Sequence, residues 1–107
     1  MTGKIEYQIM VLLMDNFNES ELKIWAFKYA KELQNLGASE ISVISRGQRE
    51  LAYSIEEYTK SNFIEINFTC MPKQIDIFSK TLNFDSNVLR MLILNKQKEK
   101  SKVFMRS

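Results

Sequence analysis

Two arginines, a glycine and a tyrosine fall within R-G-Q-R-E-L-A-Y at 46–53, and these side chains are suited to holding an anion. Guanidinium groups present forked N–H donors that match phosphate oxygens. A glycine inside a strand pattern marks a bulge, which re-aims the residues on either side. Arg46, Arg49 and Tyr53 are therefore candidates for contact with a partner, against the plain alternative of a twisted edge strand with solvated arginines. Arg90 is the other informative cation, because it interrupts the apolar run V-L-R-M-L-I-L at 88–94. Burying an unpaired guanidinium is strongly unfavourable, so its side of the strand must face solvent or a negatively charged partner.

Other chemistry is excluded by what the chain lacks. It has no histidine and one cysteine, which removes the commonest general base and metal ligand, every disulfide and every multi-cysteine zinc site. Gly3, Gly37 and Gly47 are too few and too scattered for a phosphate-cradling loop or a dinucleotide fingerprint. Cys70 lies on an apolar strand face and reads as an inert, structural thiol. The expectation is no catalytic residue, no metal and no cofactor.

The 107 residues suit one domain, and 45% hydrophobic with 26% charged residues is the balance of a soluble globular protein. No run approaches the ~18 apolar residues of a spanning helix, so no membrane partner is expected. Neither a signal nor a transit peptide is visible, so a plastid location would mean synthesis in the organelle or trimming. The net charge of +2 is unevenly placed. Lys96, Lys98, Lys100, Lys102 and Arg106 stand against Glu99 alone, which leaves the C-terminal segment at +4 and the body at −2. The chain therefore divides into a domain at 1–95 and a basic tail at 96–107 that is free until bound.

The elements that must position these residues are legible from their periods. Odd positions Ile5, Tyr7, Ile9, Val11 and Leu13 are apolar, giving a strand whose even side turns apolar at Met10 and Leu12. Asn18 and Glu21 form a capping-box pattern, so a helix starts at Glu19. Its stripe of Leu22, Trp25, Ala26, Tyr29, Leu33 and Leu36 ends at Gly37. A second strand runs from Ala38 through the arginine stretch to Ile55. The polar residues 56–62 read as a long hairpin tip, followed by a strand burying Ile64, Ile66, Phe68 and Cys70. Pro72 opens a second helix with Ile75, Phe78 and Leu82 inward, and residues 88–94 make the last strand. This β-α-β-β-α-β order predicts an α+β, ferredoxin-like sandwich: a four-stranded antiparallel sheet with both helices on one face. The first and last strands become neighbours, gathering Met10, Leu12, Arg90, Leu92 and Leu94 on the uncovered face. A surface both apolar and basic suggests a binding face.

Tyr7, the stretch R-G-Q-R-E-L-A-Y-S-I, Met71 with Pro72, and D-S-N-V-L-R at 85–90 together resemble the small-subunit ribosomal protein S6 family of bacteria and plastids. The likeness covers roughly residues 4–96. It implies a non-catalytic structural protein that binds the central domain, or platform, of small-subunit rRNA with ribosomal protein S18 and other platform proteins, and takes no small-molecule substrate. It implies a ribosomal location, the plastid (chloroplast) stroma ahead of the bacterial cytoplasm. Carried onto this chain, the resemblance assigns Lys4, Arg46, Arg49, Arg90 and Lys96 to rRNA, and Tyr7, Met10, Leu12, Tyr53, Leu92 and Leu94 to the protein partner. Ser54 stands where the family commonly has proline, Ser61 and Asn62 lack its glycine, and the tail is basic where some members are acidic. A body of −2 fits weak binding alone and cooperative binding with a more basic partner.

Two rivals share this topology. An RNA-recognition motif would lay its third-strand signature on S-N-F-I-E-I-N-F at 61–68, with Phe63 and Phe68 stacking bases, although Glu65 then stands where an aromatic is wanted. An acylphosphatase-like hydrolase would need a glycine-rich anion loop after the first strand, and residues 15–18 are acidic and lack glycine.

Overall fold

A computed structural model describes residues 3–55 and 57–96. Six elements follow in order: β1 (Ile5–Leu13), α1 (Glu19–Asn35), β2 (Ser39–Ile55), β3 (Tyr58–Cys70), α2 (Pro72–Asn83) and β4 (Val88–Asn95). The strands form one antiparallel sheet in the order β2-β3-β1-β4, so β1 is central and next to β4. This is the ferredoxin-like arrangement expected from the sequence.

Alternation decides which face is buried. Tyr7, Ile9, Val11 and Leu13 of β1 and Ile64, Ile66, Phe68 and Cys70 of β3 point to one side. Trp25, Tyr29 and Leu33 of α1 and Ile75, Phe78 and Leu82 of α2 close over them in a single core. Each fully buried side chain of this size contributes roughly 1.5–3 kcal/mol by leaving water. Both helices thus lie on one face and the other stays open. Among the described residues no helix is long and apolar enough to cross a membrane.

Local chemistry sets the helix ends. The Asn18 side chain accepts from Glu21 N–H at 2.8 Å while the Glu21 carboxylate accepts from Asn18 N–H at 2.9 Å, closing the capping box. After Leu36, Gly37 turns left-handed at φ +87, a conformation that a Cβ would strain.

One boundary differs from the sequence reading. Residues 58–62 are not part of a long tip: β3 begins at Tyr58, paired with Ile55 across a short turn. Their polar character served the sheet instead. Ser61 Oγ donates to Leu13 O at 2.7 Å and Asn62 Nδ2 to Met14 O at 2.9 Å, tying β3 to the end of β1.

Candidate nucleic-acid and partner interface

The open face is built from the alternate residues of all four strands. In one row across the sheet, Gly47 of β2 lies opposite Phe63 of β3, Phe63 opposite Leu12 of β1, and Leu12 opposite Arg90 of β4. Arginines therefore flank an apolar centre: Arg46 and Arg49 on one edge strand, Arg90 on the other. Met10 pairs with Leu92 and Gln8 with Leu94 in the next rows of the same face.

Two irregularities in the ladder aim these side chains. On β2 the register shifts between Ser45 and Gly47, which leaves Arg46 as the extra residue of a bulge, and Gly47 takes φ +89. On β4 the shift falls between Leu13's partner Val88 and Leu12's partner Arg90, leaving Leu89 extra. Leu89 is buried and Arg90 is exposed. The bulge lets β4 close the core and still present its arginine outward.

The charges on this face are partly committed. Arg46 reaches Glu65 Oε1 through Nη2 at 2.8 Å and Nε at 3.0 Å. Glu65 Oε2 accepts from Asn67 Nδ2 at 2.8 Å. The Asn67 bond, outweighing partial burial, and then the Arg46 guanidinium hold the Glu65 carboxyl below its usual range. Arg49 donates to Arg46 O at 3.1 Å, and its guanidinium sits 5.9 Å from the Phe63 ring centre, a cation-π distance. Arg90 is exposed and makes no ion pair among the described residues.

The remaining candidates divide. Lys96 Nζ donates to Gln8 Oε1 at 3.1 Å, which brings it onto the open face but at the opposite end of β1 from Arg90. Lys4 lies just before β1, beyond that same end. Leu12 is seven strand steps from Ile5, roughly 23 Å at strand rise, so Lys4 does not join the arginine row. Its charge is felt by Cys70, whose thiol burial pushes up. Tyr53 is 81% exposed on the outer part of the β2–β3 hairpin, past the continuous pairing. Leu92 is 58% exposed, and Met10, Leu12 and Leu94 are half-buried. The other tail cations, Lys98, Lys100, Lys102 and Arg106, lie outside the described residues.

Tyr7 is a correction. Expected on the partner surface, it is buried at 6% exposure on the helix side, its ring 6.0 Å from that of Phe68. The reason is parity: Tyr7 shares the odd positions of Ile9, Val11 and Leu13, so it cannot face the side of Met10 and Leu12. The same rule removes the RNA-recognition-motif rival. Phe68 is 1% exposed and packs edge-on against Phe78, so only Phe63 of the two aromatics stands on the open face.

Sequence reasoning named Phe63 and Glu65 only for the RNA-recognition-motif rival and left them out of the candidate set, although their odd numbers in a strand with even residues buried placed them on this face. It also used Asp85 only as the start of the D-S-N-V-L-R stretch. Its Oδ2 accepts from Trp25 Nε1 at 2.9 Å and Tyr29 Oη at 2.7 Å, while Oδ1 accepts from Asn87 N–H at 2.9 Å. Burial alone would raise the Asp85 pKa. The bonds from Tyr29, the Asn87 backbone and Trp25, with Lys28 nearby, outweigh it and hold the carboxyl below its usual range. Burial first, then this bond, pushes the Tyr29 hydroxyl well up. No sequence signal pairs residues so far apart.

Comparison with known proteins places this geometry in context. The family model described as "Ribosomal protein S6" matches residues 6–95. The chain is 62% identical over 96 residues to small ribosomal subunit protein bS6c of Trieres chinensis, covering 90% of this chain and 100% of that one. It is 32% identical to bS6 of Synechocystis, over 88% of this chain and 83% of the relative. The crystal structure of 30S ribosomal protein S6 from Thermotoga maritima superposes with a TM-score of 0.80 at 18% identity, covering 97% and 99% of the two chains, a likeness of fold.

Proposed function

Because this chain belongs to the ribosomal protein S6 family, and is thus a structural constituent of the small ribosomal subunit rather than an enzyme, we propose that its open sheet face joins platform rRNA to ribosomal protein S18. The ribosome concerned is that of a plastid or a bacterium, the plastid being favoured by its bS6c relatives.

The observation that supports this reading best is the row Gly47, Phe63, Leu12, Arg90, with arginines at both edges of an apolar centre. In it Arg90 and Arg49 meet rRNA phosphate or sugar groups, which fix position rather than read bases. Met10, Leu12, Leu92 and Leu94 seat the protein partner, with Tyr53 reaching it from the hairpin. Arg46 is held back by Glu65, and Lys4 and Lys96 serve a separate contact at the far end of β1. The tail cations add phosphate neutralisation, so removing residues 97–107 should flatten the salt dependence of assembly.

The test is binding to a central-domain rRNA fragment at fixed salt, with and without S18. Weak binding alone and tight binding together are expected. Equal affinity without S18 would overturn the shared role of this face.

A further inference from the structure

The outer side of α1 is a second surface, on the helix layer and away from the face just described. From Lys23 to Lys31 the helix reads K-I-W-A-F-K-Y-A-K, three lysines and no acid, in a domain whose body is otherwise net negative. Trp25 and Tyr29 turn inward to the core. That leaves Lys23, Ile24, Phe27, Lys28 and Lys31 outside, all exposed, with Ile24 at 69% and Phe27 at 67% exposure. Large apolar side chains left in water among cations mark a contact surface. Lys31 Nζ lies 5.7 Å from the Phe27 ring centre, so a cation and a stacking ring stand side by side.

Next to this stripe is a cup of about 370 Å³ between α1, the loop after β1 and the turn before β4. Phe17 and Trp25 give it apolar walls. Asn16, Asn87, Lys28 and Glu21 line it as polar groups; the Glu21 carboxylate is engaged by Asn18 N–H in the capping box, and the amide side chains both donate and accept, as the edges of bases require. Rings for stacking, amides for base edges and lysines for phosphates form the combination by which unpaired nucleic acid is held. An acidic protein segment would use the lysines alone.

We propose that the outer face of α1 holds an unpaired stretch of RNA, its phosphates on Lys23, Lys28 and Lys31, one base on Phe27 and another in the cup. The protein then bridges two RNA segments, one on each layer. The contact on α1 stands without the sheet-face reading, whereas the bridging of two RNA segments rests on it.

The test uses the full chain and a fluorescent oligouridylate of about twelve nucleotides, read by anisotropy across a salt series. Lys28→Ala with Lys31→Ala should weaken binding and lower the log–log salt slope by about 1.4, two contacts at ~0.7 each for a single strand. Phe27→Ala should weaken it about fivefold or more, the lower end of base stacking, and as an exposed residue it can be replaced without loss of fold. Lys80→Ala, an exposed cation on α2, should leave oligouridylate binding unchanged. Absence of binding, or binding indifferent to the lysines, overturns the proposal. Lysine-dependent capture of polyglutamate without oligouridylate overturns it in favour of an acidic protein. Failure of the sheet-face reading would show instead in the central-domain assay.

Discussion

The Tyr29 hydroxyl and the Asp85 carboxylate meet at 2.7 Å although 56 positions apart in the chain. With the Trp25 indole on the same oxygen, they fasten the middle of α1 to the turn that opens β4. That turn continues through Val88 N–H to Asp85 O at 3.0 Å and Met14 N–H to Asn87 O at 3.0 Å. It therefore holds the start of β4, two residues before Arg90. A one-residue slip there would exchange the faces of Arg90 and Met91.

Replacing Asp85 by alanine leaves two largely buried donors without an acceptor. We expect a loss of about 2–3 kcal/mol in urea unfolding, with a smaller loss for Asp85→Asn, which keeps one acceptor. Because the folded pKa of Asp85 is depressed, its stabilisation is present above the unfolded value of about 3.9 and is lost as pH falls through the folded one. The gap between wild type and Asp85→Asn should close on acidification. A gap that widens in acid would mean the carboxylate is not stabilised in the native state. Tyr29 runs the other way: with its pKa raised, its share is intact below about pH 10 and is lost as pH rises towards the folded value.

Arg90→Ala should lower joint affinity for a central-domain rRNA fragment and S18, and reduce the salt slope by about 0.7–0.9, one phosphate's worth. Arg90 is exposed, so unfolding free energy should stay within about 0.5 kcal/mol of wild type. An unchanged slope would remove Arg90 from the phosphate contacts.

Arg46 is already paired with Glu65 across the bulge. Arg46→Ala should therefore cost less RNA affinity than Arg90→Ala, and Glu65→Gln should raise affinity at low salt by releasing the guanidinium. If Arg46→Ala costs as much as Arg90→Ala, the pair must break on binding.

Gly47 has φ +89 and nothing within 4 Å of an added Cβ. Gly47→Ala should cost about 1 kcal/mol through backbone strain alone. The adjacent Arg46 and Arg49 should be re-aimed, so RNA affinity falls with stability. A thermal melt and a binding curve measured on the same variant would separate the two effects. Unchanged stability would mean that β2 takes another path there.

Tyr7→Ala should destabilise the fold by about 3–5 kcal/mol, as large aromatic truncations in a core do. Tyr7→Phe, which keeps the ring, should leave S18 binding intact. Weakened partner binding by a fully folded Tyr7→Phe protein would return Tyr7 to the interface.

The amino-acid sequence by itself determined the elements, their order and the inward face of each, because helix and strand periods are local and the apolar side chains obey them. Gly47 announced its bulge, and Arg90 announced that its side of β4 stays open. Tyr7 shows the limit of resemblance against period: its parity already placed it in the core. Only the tertiary structure decided the rest, since strand pairing and side-chain partners join residues far apart in the chain. It alone showed that Leu89 is the extra residue that frees Arg90, that Arg46 is spent on Glu65, and that residues 58–62 extend a strand. It alone brought Asp85 to Trp25 and Tyr29, a bond that exists only where α1 and the turn before β4 are packed together.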